Sequence, residues 1–390
     1  MRAALATAIA VLLSLTAASA SAANAPDRQG PIIELYTMGP GEPLPERFGH
    51  SALCVRYPDR RGGDRCYDYG AFDASEPLSL GYRFLRGESV FFVAMRDPDG
   101  MIRHYIARDR NVWRQTLPLS PEQAREAAAV LAKDARPENR YYHYHHYFDN
   151  CSTRVRDIID GVAGGALTSV PDDAYDHRTF RDYTREGFAE FPALLAATEL
   201  FLGRAVDAEL SAYDRMFLPE ALLKGVEAGL GAEADLLYVR RAPPLPNQPG
   251  SGSPWFALTG LALFAGIIAT AIWGRHERLA VALAAVPLAL VGLILWTIAM
   301  VSPLEEIRLN ELLLVFVPLD VVLPFLSARR RYAYTYARLI GISLIAVLAF
   351  SGVFVQPLIN PLLLALLPLS AIAIAPGWKA WRAFSSARRG

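Results

Sequence analysis

Apolar residues are spread unevenly along this chain. They run almost unbroken over residues 3–15 and again from Trp255 to about residue 376. The long stretch between carries short strand-like runs, such as Phe48–Val55, and amphipathic helical ones. Ser120 followed by Pro121 and Glu122 predicts a capped helix over Pro121–Ala135, and Thr179–Gly229 reads as further amphipathic helices. Arg2, the apolar run that follows it and the small residues at Ala18–Ala20 and Ser21–Ala23 predict a signal peptide over residues 1–23. An uncleaved anchor is the alternative, although the run falls short of a full span. On either reading residues 24–241 form an exported domain.

The C-terminal part reads as five apolar segments, roughly 255–273, 279–301, 309–326, 339–355 and 358–376. Each is near the length that crosses a bilayer core, the third being interrupted by Asp320 and two prolines. The basic clusters lie in Gly274–Arg278, in Ser327–Arg331 with Arg338, and in the tail at 377–390. The alternate connections, Ser302–Glu306 and Gln356–Pro361, hold no lysine or arginine. Five transmembrane helices below an exported domain put every basic cluster in the cytoplasm, as the positive-inside rule requires. The chain thus reads as a multi-pass protein of a bacterial inner membrane, with its N-terminal domain periplasmic and its C-terminus cytoplasmic. Residues 242–254, rich in proline, glycine and serine, read as a linker. The 39 basic and 39 acidic residues cancel, and no basic patch is interleaved with exposed aromatics, which argues against nucleic acid as a partner.

The candidate chemistry centres on Asp149-Asn-Cys-Ser-Thr-Arg154. Asp149 and Asn150 are good N-cap residues, so Cys151 falls in the first turn of a helix. Unpaired N–H groups and the positive end of the helix dipole favour a thiolate there. His50 begins a strand-like run and is the candidate base. Of the three cysteines, Cys54 and Cys66 flank the turn sequence Pro58–Gly63, which places them opposite each other on a β-hairpin within reach of a disulfide. Cys151 is then the odd thiol; the alternatives are a buried structural cysteine or pairing with one of the others. The same register puts Asp68 diagonally beside His50, where it reads equally as a carboxylate orienting the imidazole or as a surface aspartate near the turn. His143, His145 and His146 read as part of an aromatic strand leading to the cysteine helix, with no third ligand at metal spacing, and no cofactor is implied.

Several motifs together resemble the Lnb-type lipoprotein N-acyltransferases. They are Leu35–Glu42, Arg47-Phe-Gly-His-Ser-Ala-Leu53, Tyr67-Asp-Tyr-Gly-Ala-Phe-Asp73 and Asp149–Arg154, with Met216-Phe-Leu-Pro219 and Asn310–Pro318 further on. The resemblance implies an α+β, papain-like exported domain in circularly permuted order, followed by an all-α five-helix transmembrane bundle. It implies Cys151 as nucleophile, His50 as base and Asp68 as the third polar residue. The reaction implied moves a fatty acyl chain from a phospholipid to the N-terminal amine of a lipoprotein. The helix start offers the backbone N–H groups of Cys151 and Ser152 for an oxyanion. Asn310 and Asp320 are candidate substrate-side residues within the bundle. A membrane-tethered cysteine peptidase or amidase, and a non-enzymatic envelope scaffold, are the alternatives.

Overall fold

The computed structural model describes residues 30–387 apart from 59–62, 74, 76, 173–176, 247–249, 251 and 274–276. The expected signal peptide, part of the first basic cluster and the side chains of the basic tail lie outside the described residues.

Seven strands make one antiparallel sheet in the order β6-β4-β3-β2-β1-β5-β7. They are β1 (Ile32–Met38), β2 (His50–Arg56), β3 (Arg65–Ala71), β4 (Val90–Arg96), β5 (Val112–Thr116), β6 (Tyr141–His143) and β7 (Asp235–Tyr238). The helices of this part are α1 (Pro77–Leu85), α2 (Pro98–Ala107), α3 (Pro121–Asp134), α4 (Cys151–Val162), α5 (Phe180–Gly187), α6 (Pro192–Phe201), α7 (Ala212–Arg215) and α8 (Pro219–Leu230). Period-two alternation gives the sheet two apolar faces. Ile33, Leu35, Leu53, Val55, Tyr67 and Tyr69 pack with residues of α3, α4 and α8. Tyr36, Met38, Ala52, Cys54 and Cys66 pack against α2 through Met101 and Tyr105. Because both faces are covered, the central strands are buried almost throughout. Ser120 caps α3 with a reciprocal bond pair to Gln123, as its sequence suggests.

Cys54 stands directly opposite Cys66 in the β2–β3 pairing, and the two form a disulfide. The histidine strand is shorter than its sequence suggests. β6 stops at His143, so His145 and His146 do not share its face pattern.

Among the described residues, three helices are long and apolar enough to cross a membrane: Pro254–Trp273 within α9 (Ser253–Trp273), Arg278–Val301 within α10 (Glu277–Val301), and α12 (Ala328–Phe350). Between α10 and α12 lies a short helix, α11 (Glu305–Arg308). The last helix, α13 (Ile359–Ala387), has a shorter apolar part over Ile359–Ala375. The third apolar segment, expected as a transmembrane helix over 309–326, is no α-helix. It forms two 3-10 stretches, Glu311–Leu314 and Pro318–Phe325. Pro318 and Pro324 remove donors that an α-helical ladder needs. A 3-10 coil advances about 2 Å per residue against 1.5 Å, so it covers more depth with fewer residues. The strand of chain runs tight along α10: Trp296 donates to the Leu313 carbonyl at 3.1 Å, and a side chain at Gly292 would come within 2.7 Å of the Phe316 oxygen. Irregular backbone inside a membrane is tolerated where protein covers it, and α10 supplies that cover.

Asp320, buried in this segment, accepts from Arg338 Nε and Nη2, each at 2.9 Å, and from the Tyr334 hydroxyl at 2.8 Å. Arg338 therefore does not belong with the basic connection at Ser327–Arg331. It lies ten residues into α12, about 15 Å along the helix. Its charge is neutralised by Asp320, and it also donates to the Val315 carbonyl. Arg338→Gln leaves a buried carboxylate without its cation and is expected to destabilise the protein by about 3–5 kcal/mol. Thermal unfolding in detergent checks this; the double change Asp320→Asn with Arg338→Gln should recover part of the loss.

Candidate active site

Asn150 is the cap of α4. Its Oδ1 accepts from the backbone N–H of Ser152 at 2.8 Å and of Thr153 at 3.0 Å, while Thr153 Oγ1 accepts from the Asn150 N–H. The Asn150 amide also donates to the carbonyls of His146 and Phe217, which fixes the loop before the helix. Cys151 is thereby held at the first position of α4, partly buried and outside the disulfide. This cap corrects one expectation. The Ser152 N–H is already engaged by Asn150, so it is not free to bind an oxyanion, whereas the Cys151 N–H has no acceptor among the described residues.

His50 is the first residue of β2 and Asp68 lies in the middle of β3. His50 Nε2 donates to Asp68 Oδ1 at 2.7 Å. A carboxylate only accepts, so the proton sits on Nε2 and Nδ1 is the nitrogen left for the thiol. The opposite Asp68 oxygen takes a 2.5 Å bond from Arg96. Asp68 is 3% exposed, which rules out the surface reading. Burial would raise its carboxyl; His50 and Arg96 outweigh that and hold it at about 2.

Cys151 rides on the helix covering one face of the sheet, while His50 projects on the face that carries α2. They meet at Gly70. A Cβ built there would lie 3.5 Å from His50 Cε1 and 3.6 Å from Cys151 Cβ. Gly70 has φ +131°, a conformation that side chains disfavour, and it sits in a register shift between Tyr69 and Ala71. The missing side chain and the bulge together let the thiol and imidazole approach through the strand end. Gly70→Ala is expected to cost about 1–3 kcal/mol of stability. It should also slow Cys151 alkylation by a neutral reagent, measured against the same thiol in the unmodified protein.

The electrostatics favour an ion pair. Burial alone would raise the Cys151 thiol, but His50, the Ser51 backbone and the Ser152 hydroxyl bring it below its ordinary value. Burial alone would lower the His50 imidazole; Tyr105, Asp68 and the Cys151 sulfur together hold it well above its ordinary value. Tyr105 is itself pushed up by burial, so it stays neutral near pH 7, and the charges that act on His50 there are Asp68 and the thiolate.

Further residues complete the surroundings. Tyr105 of α2 stacks on His50, ring centroids 5.9 Å apart, and the Arg110 guanidinium lies over the Tyr105 ring at 4.8 Å. Ser51 and Ser152 share a hydroxyl bond at 3.1 Å beneath the site. Tyr142 has a buried phenol with no hydrogen-bond partner, among the described residues, on the strand leading to Cys151. A cleft of about 350 Å³ opens behind Tyr105 beside Arg96 and His104; Cys151 does not line it. Tyr105 and Arg110 come from a segment remote in sequence from both His50 and Cys151, and no local spacing announces them.

The remaining candidates lie elsewhere. His146 is partly buried, packs against Phe48 and Phe217, and is held at about 4 by desolvation and then His145, so it is neutral at pH 7. His145 pairs with Glu306 at 3.5 Å. Among the described residues, no group of three or more His, Cys, Asp or Glu is placed to hold a metal ion. Asn310 is buried, donating to the Leu200 carbonyl at 2.7 Å and accepting from the Leu312 N–H at 2.9 Å. Both of its polar ends, like those of Asp320, are taken up by protein groups away from Cys151.

Residues 25–183 match the family model of the Lnb N-terminal periplasmic domain. His50, Asp68 and Cys151 all fall within the match, which ends before α6 and the apolar helices. No curated protein and no solved structure matches the chain. Residues 25–183 are thus similar to the Lnb N-terminal periplasmic domain; they lie in a mixed α/β part that is followed by a helical region with, among the described residues, three membrane-length apolar helices.

Proposed function

We propose that this protein is a membrane-bound cysteine acyltransferase, moving a fatty acyl chain from a phospholipid to the N-terminal amine of a lipoprotein. The observation that carries the reading is the Cys151–His50–Asp68 arrangement. A depressed thiol at a helix start stands beside an imidazole whose far nitrogen is held by a buried carboxylate. In this reading the domain is papain-like, with the histidine strand ahead of the cysteine helix.

The chemistry follows from these groups. His50 Nδ1 takes the thiol proton, and the Cys151 sulfur attacks the ester carbonyl carbon of the donor. The Cys151 N–H faces the developing oxyanion. As the carbon–oxygen bond breaks, His50 returns the proton to the departing lysophospholipid, leaving a thioester. The neutral amine of the acceptor then attacks the thioester carbonyl, His50 accepts a proton from the amine nitrogen, and the carbon–sulfur bond breaks to give an amide. The proton ends on the thiol or stays on His50 as the resting ion pair. Sulfur suits the task because a thioester reacts with amines more readily than an oxygen ester does.

Support for a lipid substrate over a cell-wall peptide comes from the seam between domain and helices. Ser302, one residue beyond the span ending at Val301, donates to the Leu85 carbonyl at 2.6 Å. Gly203 N–H donates to the Glu306 carbonyl, and Asn310 to that of Leu200. The domain is bonded to the ends of the apolar helices rather than tethered at a distance. The test is mass spectrometry of the N-terminal peptide of a model diacyl lipoprotein in a host depleted of its own N-acyltransferase. An added N-acyl mass supports the reading. A diacyl form left untouched by well-folded protein refutes it for that acceptor, and moves the hydrolase reading ahead.

A further inference from the structure

The seam also fixes the height of helix α1 relative to the bilayer. Ser302 is the residue that follows a membrane-length helix by one position, and its hydroxyl bonds the last residue of α1. Two residues on, a Cβ at Gly87 would lie 3.1 Å from Leu304 and 3.5 Å from Pro303. The C-terminal end of α1 therefore rests at the level where α10 leaves the apolar core.

What α1 presents there is characteristic of an interface. Leu80 packs on the core, and Phe84 meets Tyr144 at 6.3 Å between ring centroids. Tyr82, on another edge of the helix, is 60% exposed. Tyrosine is a side chain enriched at the headgroup level, with an apolar ring and a polar tip. Beside it is a cleft of about 230 Å³ lined by Asp73, Ser75, Ser79, Leu80, Arg83 and Val90. Arg83 is exposed and has no hydrogen bond or ion pair among the described residues. Asp73 accepts from the Ser75 N–H at 2.9 Å. The cleft thus offers one cation and one anion side by side. The chain neighbours of three of its lining residues belong to a run of touching aromatic rings: Phe84 on Tyr144, Tyr144 stacked on Phe91 at 4.0 Å, and Phe91 stacked on Phe72 at 4.9 Å.

We propose that α1 is a phospholipid-docking element, with Tyr82 in the headgroup layer and the Arg83–Asp73 cleft holding a zwitterionic headgroup. Arg83 takes the phosphate and Asp73 the ammonium group, and the Phe84–Tyr144–Phe91 wall guides the acyl chain toward Cys151. The guiding role rests on the acyltransferase reading; the docking role does not.

The experiment has two arms, both on the full chain reconstituted in vesicles of phosphatidylethanolamine and phosphatidylglycerol. In the first, Tyr82→Cys and, separately, Met95→Cys are spin-labelled in a Cys151→Ser background with the Cys54–Cys66 disulfide intact. Met95 is exposed near the other end of β4, roughly 17 Å along the strand from Val90. Oxygen and a water-soluble nickel chelate then report depth. The label at 82 should sit at the headgroup level and the label at 95 in water; equal, aqueous behaviour at both overturns the docking. In the second arm, Arg83→Glu should slow acylation of Cys151 from the vesicles at least about tenfold. Its alkylation by iodoacetamide should be unchanged, which excludes misfolding. Acylation at the unmodified rate overturns the headgroup cleft. If even the unmodified protein takes no acyl group, the acyltransferase reading fails, and the docking is decided by the depth measurement alone.

Discussion

Cys151→Ala is expected to lower N-acylation of a lipoprotein acceptor at least ~10⁴-fold, because it removes the thiol that pairs with His50, and the nearby Ser51 and Ser152 hydroxyls are bonded to each other. The structural cost of the change is small. The α4 cap is made by Asn150 and Thr153, not by the thiol, so the helix start survives. The other two cysteines are locked together and cannot substitute. Loss of acyl transfer with an unchanged thermal transition, followed by mass spectrometry of the acceptor and by calorimetry, would separate chemistry from folding. Retention of more than a few per cent of the activity would remove Cys151 from the mechanism.

The second large effect is expected at Asp68. Asp68→Asn keeps the shape but removes the charge that stabilises the imidazolium and the acceptor that keeps the proton on Nε2. An amide can turn its nitrogen toward His50 and stabilise the wrong tautomer. A drop of about 10²–10⁴ in the rate of thioester formation is expected, by analogy with triads in which the orienting carboxylate is neutralised. The pH dependence supplies a sign. In the unmodified protein the thiol titrates below its ordinary value, so the alkylation rate should rise as pH increases through that lowered value. It should stay high above that value, because the thiolate remains the nucleophile whether or not His50, held well above its own ordinary value, keeps its proton. Without the Asp68 charge His50 falls, the thiolate loses part of its partner, and the rise moves to higher pH. A profile that does not move would mean Asp68 has no part in setting the ion pair.

Much of this site was legible because it depends on short-range rules. The turn sequence between Cys54 and Cys66 fixes a hairpin register, and period-two alternation then brings Asp68 to the same face as His50. The position of Cys151 at a helix start follows from the side-chain chemistry of Asn150. The failures have equally physical causes. Sequence offered both Asp149 and Asn150 as caps; that Asn150 takes the role, and with it the Ser152 N–H, is decided by its further bonds to His146 and Phe217. Tyr105 reaches His50 from a helix on the far face, and Arg96 reaches Asp68 from a neighbouring strand. Neither contact has a local signature. In the apolar region, hydropathy registers the length of residues 309–326 but not their conformation. Pro318, Pro324 and the Asp320–Arg338 pair impose a 3-10 path that a count of apolar residues does not see. Arg338 was misplaced for the same reason: its charge read as a loop signal, while its partner lay on another segment.

The most direct test of the account is the intact mass of the purified protein after incubation with phosphatidylethanolamine vesicles and no acceptor. The account expects a single fatty acyl adduct on Cys151, released by neutral hydroxylamine as a thioester is, and absent from Cys151→Ala. A protein whose Cys151 alkylates readily but never acquires the acyl mass would contradict it.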